Sequence, residues 1–167
     1  MGKLIGTGGR VVAVTGNLQF QAHRDRISGF EDGLNRWGDH LDVEVREGRD
    51  TYEGTVAALE AAYQRADAAG DEIVGVYMAT GIIDGCLDVL TAVPRARRPR
   101  LVTNDIIPVV KEGLADGTID FTIFQDPVYQ GYTPMKVLYE YLLTKKAPTT
   151  SWYQSPIRIV GATEVET

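Results

Sequence analysis

Short apolar runs alternate with longer amphipathic stretches along nearly the whole chain, and that alternation leaves few folds open. Val11-Val12-Ala13-Val14 is a compact run that carries through Thr15 and stops at Gly16, as a strand covered on both faces does. From His23 to Trp37, Ile27, Phe30, Leu34 and Trp37 recur at three- and four-residue spacing, which predicts a helix. Leu41–Val45 alternates apolar with polar and predicts a half-covered strand. Thr51–Ala69, rich in Ala, Leu and Glu, predicts a second helix, and Ile73–Tyr77 a third strand. The rhythm then repeats. A helix from Ile83 to Val93 is stopped by Pro94, and a strand spans Pro99–Thr103. A short helix, Ile107–Ala115, closes at Gly117 and leads to a strand at Phe121–Phe124. Val128–Lys145 predicts a long helix and Ile157–Val160 a last strand. The order implies an α/β fold: a doubly wound, mainly parallel sheet with right-handed crossovers.

Composition narrows the function classes. A length of 167 residues fits one ordinary domain with a real core. The net charge of −6 argues against a nucleic-acid surface on this chain, because phosphate contacts need clustered Lys and Arg. The basic run Arg95-Ala96-Arg97-Arg98-Pro99-Arg100 has no interleaved aromatics and is expected to be a solvated loop. Cys86, alone, forms no internal disulfide and sits in a helical pattern where a small buried thiol is expected. No apolar run approaches the about 18 residues that span a membrane, and Met1–Arg10 lacks the apolar segment of a secretory signal. His23 and His40 are too far apart and too poor in neighbours for a metal site. Thr7-Gly8-Gly9 precedes a strand and lacks the Gly-Lys-Ser/Thr of a phosphate loop, so a plain turn is expected there. No Ser/His/Asp or Cys/His set stands at credible positions. The expectation is a binding protein, not an enzyme, without metal or cofactor.

The carboxyl ends of parallel strands are where open sheets bind ligands, and here those ends are polar. After the first strand, Gly16–Ala22 offers the amides Asn17, Gln19 and Gln21, with Phe20 as a ring for stacking. Arg26 follows one turn into the helix, placed to reach back over the strand ends with a guanidinium suited to adjacent hydroxyls or a carboxylate. The competing reading has Arg24 and Arg26 solvating a helix face or pairing with Asp25. Thr80 is the strong side-chain candidate after the third strand. Asp105, after the fourth, either accepts bonds from ligand hydroxyls or caps the helix starting at Ile106. Gln125 can donate to and accept from a polyol, while Asp126 caps the helix begun at Pro127. The candidate ligand residues are therefore Arg26, Asp105, Gln125, Thr80, Gln19 and Phe20.

These residues resemble the effector-binding region of lac-repressor-type transcriptional regulators and the related periplasmic sugar-binding proteins. Arg26-Ile27-Ser28-Gly29-Phe30 looks like the family's Arg-x-x-Gly-aromatic signature, and Gly113–Thr118 leads into Phe121–Pro127 like its Gly–strand–Gln–x–Pro passage. The resemblance matches Arg26 to the family's sugar-binding Arg, Asp105 to its strand-end acid and Gln125 to its crossover amide. The chain departs at Thr80-Gly81, where the family commonly carries Asn-Asp. The resemblance implies a type 1 periplasmic binding fold of two lobes joined by three crossovers. Residues 1–126 would form the C-terminal lobe, 127–149 a helix that packs on the other lobe, and 150–167 a return strand and tail. The other lobe, and a DNA-binding region, would lie outside this chain. The implied function is sugar or polyol sensing by a cytoplasmic, homodimeric regulator. The alternative is the solute-binding component of an ABC sugar importer, periplasmic or extracellular. Lacking its lobe, the Val128–Lys145 helix is expected to fold back on its own sheet, pack on another copy or be swapped between copies.

Overall fold

The computed structural model describes residues 1–6, 8–37 and 41–164; Thr7 of the Gly-rich turn and His40 lie outside them. Six strands form one sheet: β1 (Gly9–Thr15), β2 (Leu41–Glu47), β3 (Ile73–Met78), β4 (Arg100–Asn104), β5 (Phe121–Gln125) and β6 (Ile157–Val160). Between them run α1 (Gln21–Trp37), α2 (Tyr52–Ala69), α3 (Asp84–Thr91), α4 (Pro108–Asp116) and α5 (Pro127–Thr144). The sheet order is β2-β1-β3-β4-β5-β6. The first four pairings are parallel, and β6 alone joins antiparallel, beside β5. A doubly wound, mainly parallel sheet is what the alternation predicts.

The apolar runs of β1, β3 and β4 are buried as their periodicity requires, whereas Trp37 at the end of the α1 stripe and Ile157 and Ile159 of β6 are exposed. Val11, Val12, Ala13 and Val14 are fully covered, as a strand between two helical layers must be. Val12, Val14, Val76, Met78 and Leu101 pack with Leu59 and Ala62 of α2, Cys86 and Leu90 of α3, and Val110 and Leu114 of α4. The opposite face carries α1, whose Ile27 and Leu34 meet Ala13, Tyr77 and Val11. Burial pushes the Cys86 thiol up to about 12, so it is the inert core thiol expected. Helix ends follow their residue chemistry. Thr51 accepts from the Gly54 N–H to cap α2, and Gly117 closes α4 at a left-handed φ of 77°.

Helix α5 removes one of the three alternatives expected for it. It does not fold back on its own sheet: none of its residues is buried, and Val128, Tyr132, Met135, Leu138, Tyr139 and Leu142 are all exposed. Tyr129, Thr133, Pro134, Val137 and Tyr141 of α5, with Pro148 and Tyr153 of the following segment, line a groove of about 660 Å³. Among the described residues, no helix is long and apolar enough to cross a membrane.

The order of strands places one position above the rest. From β1 the chain steps outward to β2, then returns across β1 to β3 and continues the other way. The connections leaving β1 and β3 therefore diverge to opposite faces, opening a crevice at the carboxyl ends of those two strands.

Candidate functional site

Five connections meet at that crevice. The loop after β1 is built by its own polar groups. The Gln19 N–H donates to Asn17 Oδ1 at 2.7 Å, forming an Asx-type turn, and the Asn17 N–H donates to His23 Nδ1 at 2.8 Å. Arg24 donates to the carbonyls of Leu18 and Gln19 at 2.7 and 2.8 Å, and Glu47 takes the Leu18 N–H at 2.7 Å. Neither arginine pairs with Asp25. Arg24 pins the loop, so Gln19 works through its backbone with its side chain exposed. Phe20 stands 61% exposed at the tip, edge-on to the His23 ring at 5.8 Å.

Arg26 reaches over the sheet. One Nη donates to the Ala79 carbonyl at 2.8 Å and the other to Gln125 Oε1 at 3.3 Å, partners 53 and 99 residues away. One half-buried guanidinium thus ties the ends of β3 and β5 while the rest of its five N–H donors stay unassigned. Solvation of a helix face is not its role.

Asp105 follows β4 at a left-handed φ of 68°. Helix α4 starts later, from Ile107, with no side-chain cap bond, so the capping role falls away. The Asp105 backbone is held instead: its N–H donates to the Ile123 carbonyl at 2.9 Å, and its own carbonyl accepts from Thr122 Oγ1 at 2.6 Å. The carboxylate turns to the crevice beside Gly81, where a Cβ would sit 3.7 Å from Oδ2. Beneath it, buried Asn104 donates to the Tyr77 hydroxyl at 3.0 Å and the Met78 carbonyl at 2.9 Å, locking β3 to β4. Burial raises the Tyr77 phenol above its ordinary value, against the pull of the Asn104 bond and Arg26 and with the push of Asp105. Both charges, from α1 and β4, therefore act at one place. Asp126 caps α5, accepting from the Val128 and Tyr129 N–H groups at 3.0 Å, which frees Gln125 to face Arg26.

Thr80 is 5% exposed and donates to Asp50 Oδ1 at 2.6 Å. Asp50 is the site residue that sequence reading passes over. Strand β2 runs to Glu47, aligned with Thr15, so the loop after it lies against Gly16. The Gly48 N–H donates to the Thr15 carbonyl at 2.7 Å and the Arg49 N–H to the Gly16 carbonyl at 2.9 Å. The Asp50 carboxylate then lies flat over Gly16, where a Cβ would meet Oδ2 at 2.1 Å. The signal was present as an acid in the turn after a strand, but Leu41–Val45 ends too early to show it.

The opposite end of the sheet has another character. Arg10 bonds Glu44 and Asp71, Arg65 bonds Glu44, and Arg100 bonds Asp120. The basic run begins in a short turn at Arg95–Arg97 at this end, as expected, with Arg98 donating to the Val93 and Thr91 carbonyls. Among the described residues, no three His, Cys, Asp or Glu side chains are grouped to hold a metal.

A sequence profile described as periplasmic binding protein domain matches residues 1–146. None of the curated proteins matches the chain. Several solved structures share its fold. A solute-binding protein of an ABC transporter from Burkholderia graminis, in complex with D-arabinose, superposes with a TM-score of 0.83 at 20% identity, over 97% of this chain and 56% of its own. One from Agrobacterium vitis bound to α-D-tagatopyranose gives 0.82 at 22%, over 96% and 52%. A periplasmic solute-binding protein from Actinobacillus succinogenes with D-allose gives 0.82 at 17%, over 98% and 56%. The chain thus spans 52–56% of the length of these three structures.

Proposed function

The chain belongs to the periplasmic binding protein domain family, and on that premise we propose that it binds a sugar or similar polyol as part of the solute-binding component of an ABC sugar importer. The observation that carries this reading is Arg26, a guanidinium drawn from α1 to the tips of β3 and β5 with donors to spare. In this role Arg26, Asp105 and Gln125 engage ligand hydroxyls, and Phe20 covers an apolar sugar face. Gln19 lies at the rim, and Thr80 acts from beneath through Asp50. Mixed donors and acceptors around an open shelf suit a polyhydroxyl ligand better than an anion. Residues 1–126 serve as one lobe, 127–149 pack α5 on a second lobe across the ligand, and 150–167 supply a return strand and tail.

Solute-binding relatives holding D-arabinose, tagatopyranose and D-allose support the importer over the cytoplasmic, DNA-bound homodimer of the regulator reading. Periplasmic or extracellular placement goes with the importer. No observation adds weight to DNA contact or to a dimer. Thermal unfolding of the full-length protein across a panel of pentoses and hexoses tests the reading. A cognate sugar at 100 times Kd stabilises it by about 2.7 kcal/mol, and the effect saturates as mass action requires. Identical melting in every sugar contradicts it.

A further inference from the structure

We propose that His23 is a positioning residue for the loop after β1, holding it through a neutral imidazole, so that sugar affinity falls as the pH drops. This regulation rests on the sugar reading above, because the loop concerned carries Phe20. Two contacts compete for one atom. His23 Nδ1 lies 2.8 Å from the Asn17 backbone nitrogen and 3.0 Å from the Asn17 carbonyl oxygen. The first contact needs a lone pair on Nδ1, and the second needs a proton there. The Asn17 N–H is aimed at the ring as a donor, so the form that holds the loop is the neutral one with its proton on Nε2.

Asn17 is the pivot of that loop. Its carbonyl accepts from the Phe20 N–H at 3.1 Å, and its side-chain oxygen accepts from the Gln19 N–H at 2.7 Å. Phe20 meets the imidazole edge-on at 5.8 Å. One ring therefore steadies both the foot of the loop and the side chain at its tip. Protonation places a hydrogen on Nδ1, and the Asn17 N–H then faces a donor carrying positive charge. The ring can still donate to the Asn17 carbonyl, but the partly buried N–H is left without its acceptor, which is unfavourable.

The charges around the loop are mixed. Arg24, Asp25 and Arg26 belong to the same helix as His23. The end of β2 supplies Glu47, which accepts from the Leu18 N–H, and the next loop sets Arg49 and Asp50 against Gly16. The tips of β3 and β5 present the Ala79 carbonyl and the Gln125 amide to Arg26, and Asp105 stands across the crevice beside Gly81. With both signs present, the polarity of one hydrogen bond separates the two forms of the ring. Sugar binding and protonation then oppose each other, each weakening the other by the same factor. Affinity is full where the imidazole is neutral and declines as pH falls through its titration.

The test is calorimetric titration of the full-length protein with D-arabinose, D-xylose, D-ribose, D-glucose, D-galactose and D-allose at about pH 8 and about pH 5.5, a window in which histidine titrates and ordinary carboxylates stay ionised. The probe that the wild type binds best is expected to bind about five- to tenfold more weakly at the lower pH, the scale of one hydrogen bond. His23→Asn sets an amide oxygen near the place of Nδ1, where it accepts from Asn17 and does not titrate, so its affinity should be the same at both pH values. A variant as pH-dependent as the wild type, or a wild type with no pH dependence, overturns the inference and leaves the sugar reading in place. Should the variant not fold, the His23 ring signals of the wild type decide by NMR. The best probe at saturation should move the ring's titration to lower pH, and an unmoved titration overturns the inference. A wild type that binds none of the probes at either pH overturns the sugar reading and this inference with it.

Discussion

The two ends of the sheet treat charge in opposite ways. Where the strands begin, arginines meet carboxylates: Arg10 and Arg65 converge on Glu44, Arg10 also reaches Asp71, and Arg100 reaches Asp120. Where they end, Asp50 and Asp105 keep carboxylate oxygens that accept no bond from the described residues, and Arg26 spends its bonds on a carbonyl and an amide. Backbone conformation divides likewise, with the left-handed Arg49, Asp50 and Asp105 all at the terminal edge. Charge consumed inside the protein can stabilise it but cannot recognise anything else. The unspent charge marks the recognising end.

Removing Arg26 strikes the contrast hardest. Arg26→Ala leaves the Ala79 carbonyl and Gln125 without their partner, and titration of the cognate sugar should show affinity lost by about 100-fold or more, the scale of a truncated buried charge contact. Binding within a few-fold of wild type would break the assignment of this edge.

At the other end the matching substitution should change stability and leave recognition alone. Burial alone would raise the Glu44 carboxyl, but hydrogen bonds from Arg10, Arg46 and Arg65 outweigh it and hold the group below its ordinary value of 4.5. A lowered folded value means stabilisation that is complete above about 4.5 and drains away as pH falls through the folded value. Glu44→Gln should therefore cost about 1–3 kcal/mol at pH 7 in urea unfolding, with the difference from wild type shrinking in acid and sugar affinity unchanged. A deficit that grows on acidification would reverse the sign of this account.

The smallest effect is expected in the basic run. Arg95 and Arg97 are exposed in a turn at the beginning of β4, so the double replacement by Gln should move stability by no more than about 0.5 kcal/mol and leave binding as it was. A marked loss of sugar affinity would place recognition at the wrong pole.

The sequence shows the frame of this fold well because periodicity reports burial. Val11–Val14 and the Ile27–Leu34 stripe could not face water in quantity, and they do not. Strand ends are harder to read. Strand β2 runs beyond its apolar alternation, to Glu47, through residues whose hydrogen bonds continue after the hydrophobic signal stops. Site residues sit at those ends, so Asp50 goes unseen while Arg26, carried by a helix with a clear stripe, is found. Asp105 is found with two roles open, and only the placement of α4 from Pro108 removes the capping role. Helix α5 is legible as a helix but not in its surroundings, since an apolar stripe asks for cover without naming what supplies it.

A backbone amide map of the full-length protein, recorded by heteronuclear NMR with and without a saturating sugar from the panel, tests the central claim most directly. The largest shifts are predicted at residues 16–20, 48–51, 79–82, 104–105 and 125, the tips that Arg26, Asp105 and Asp50 join. Shifts concentrated instead at 95–100 and 116–120, with the strand tips unmoved, would contradict it.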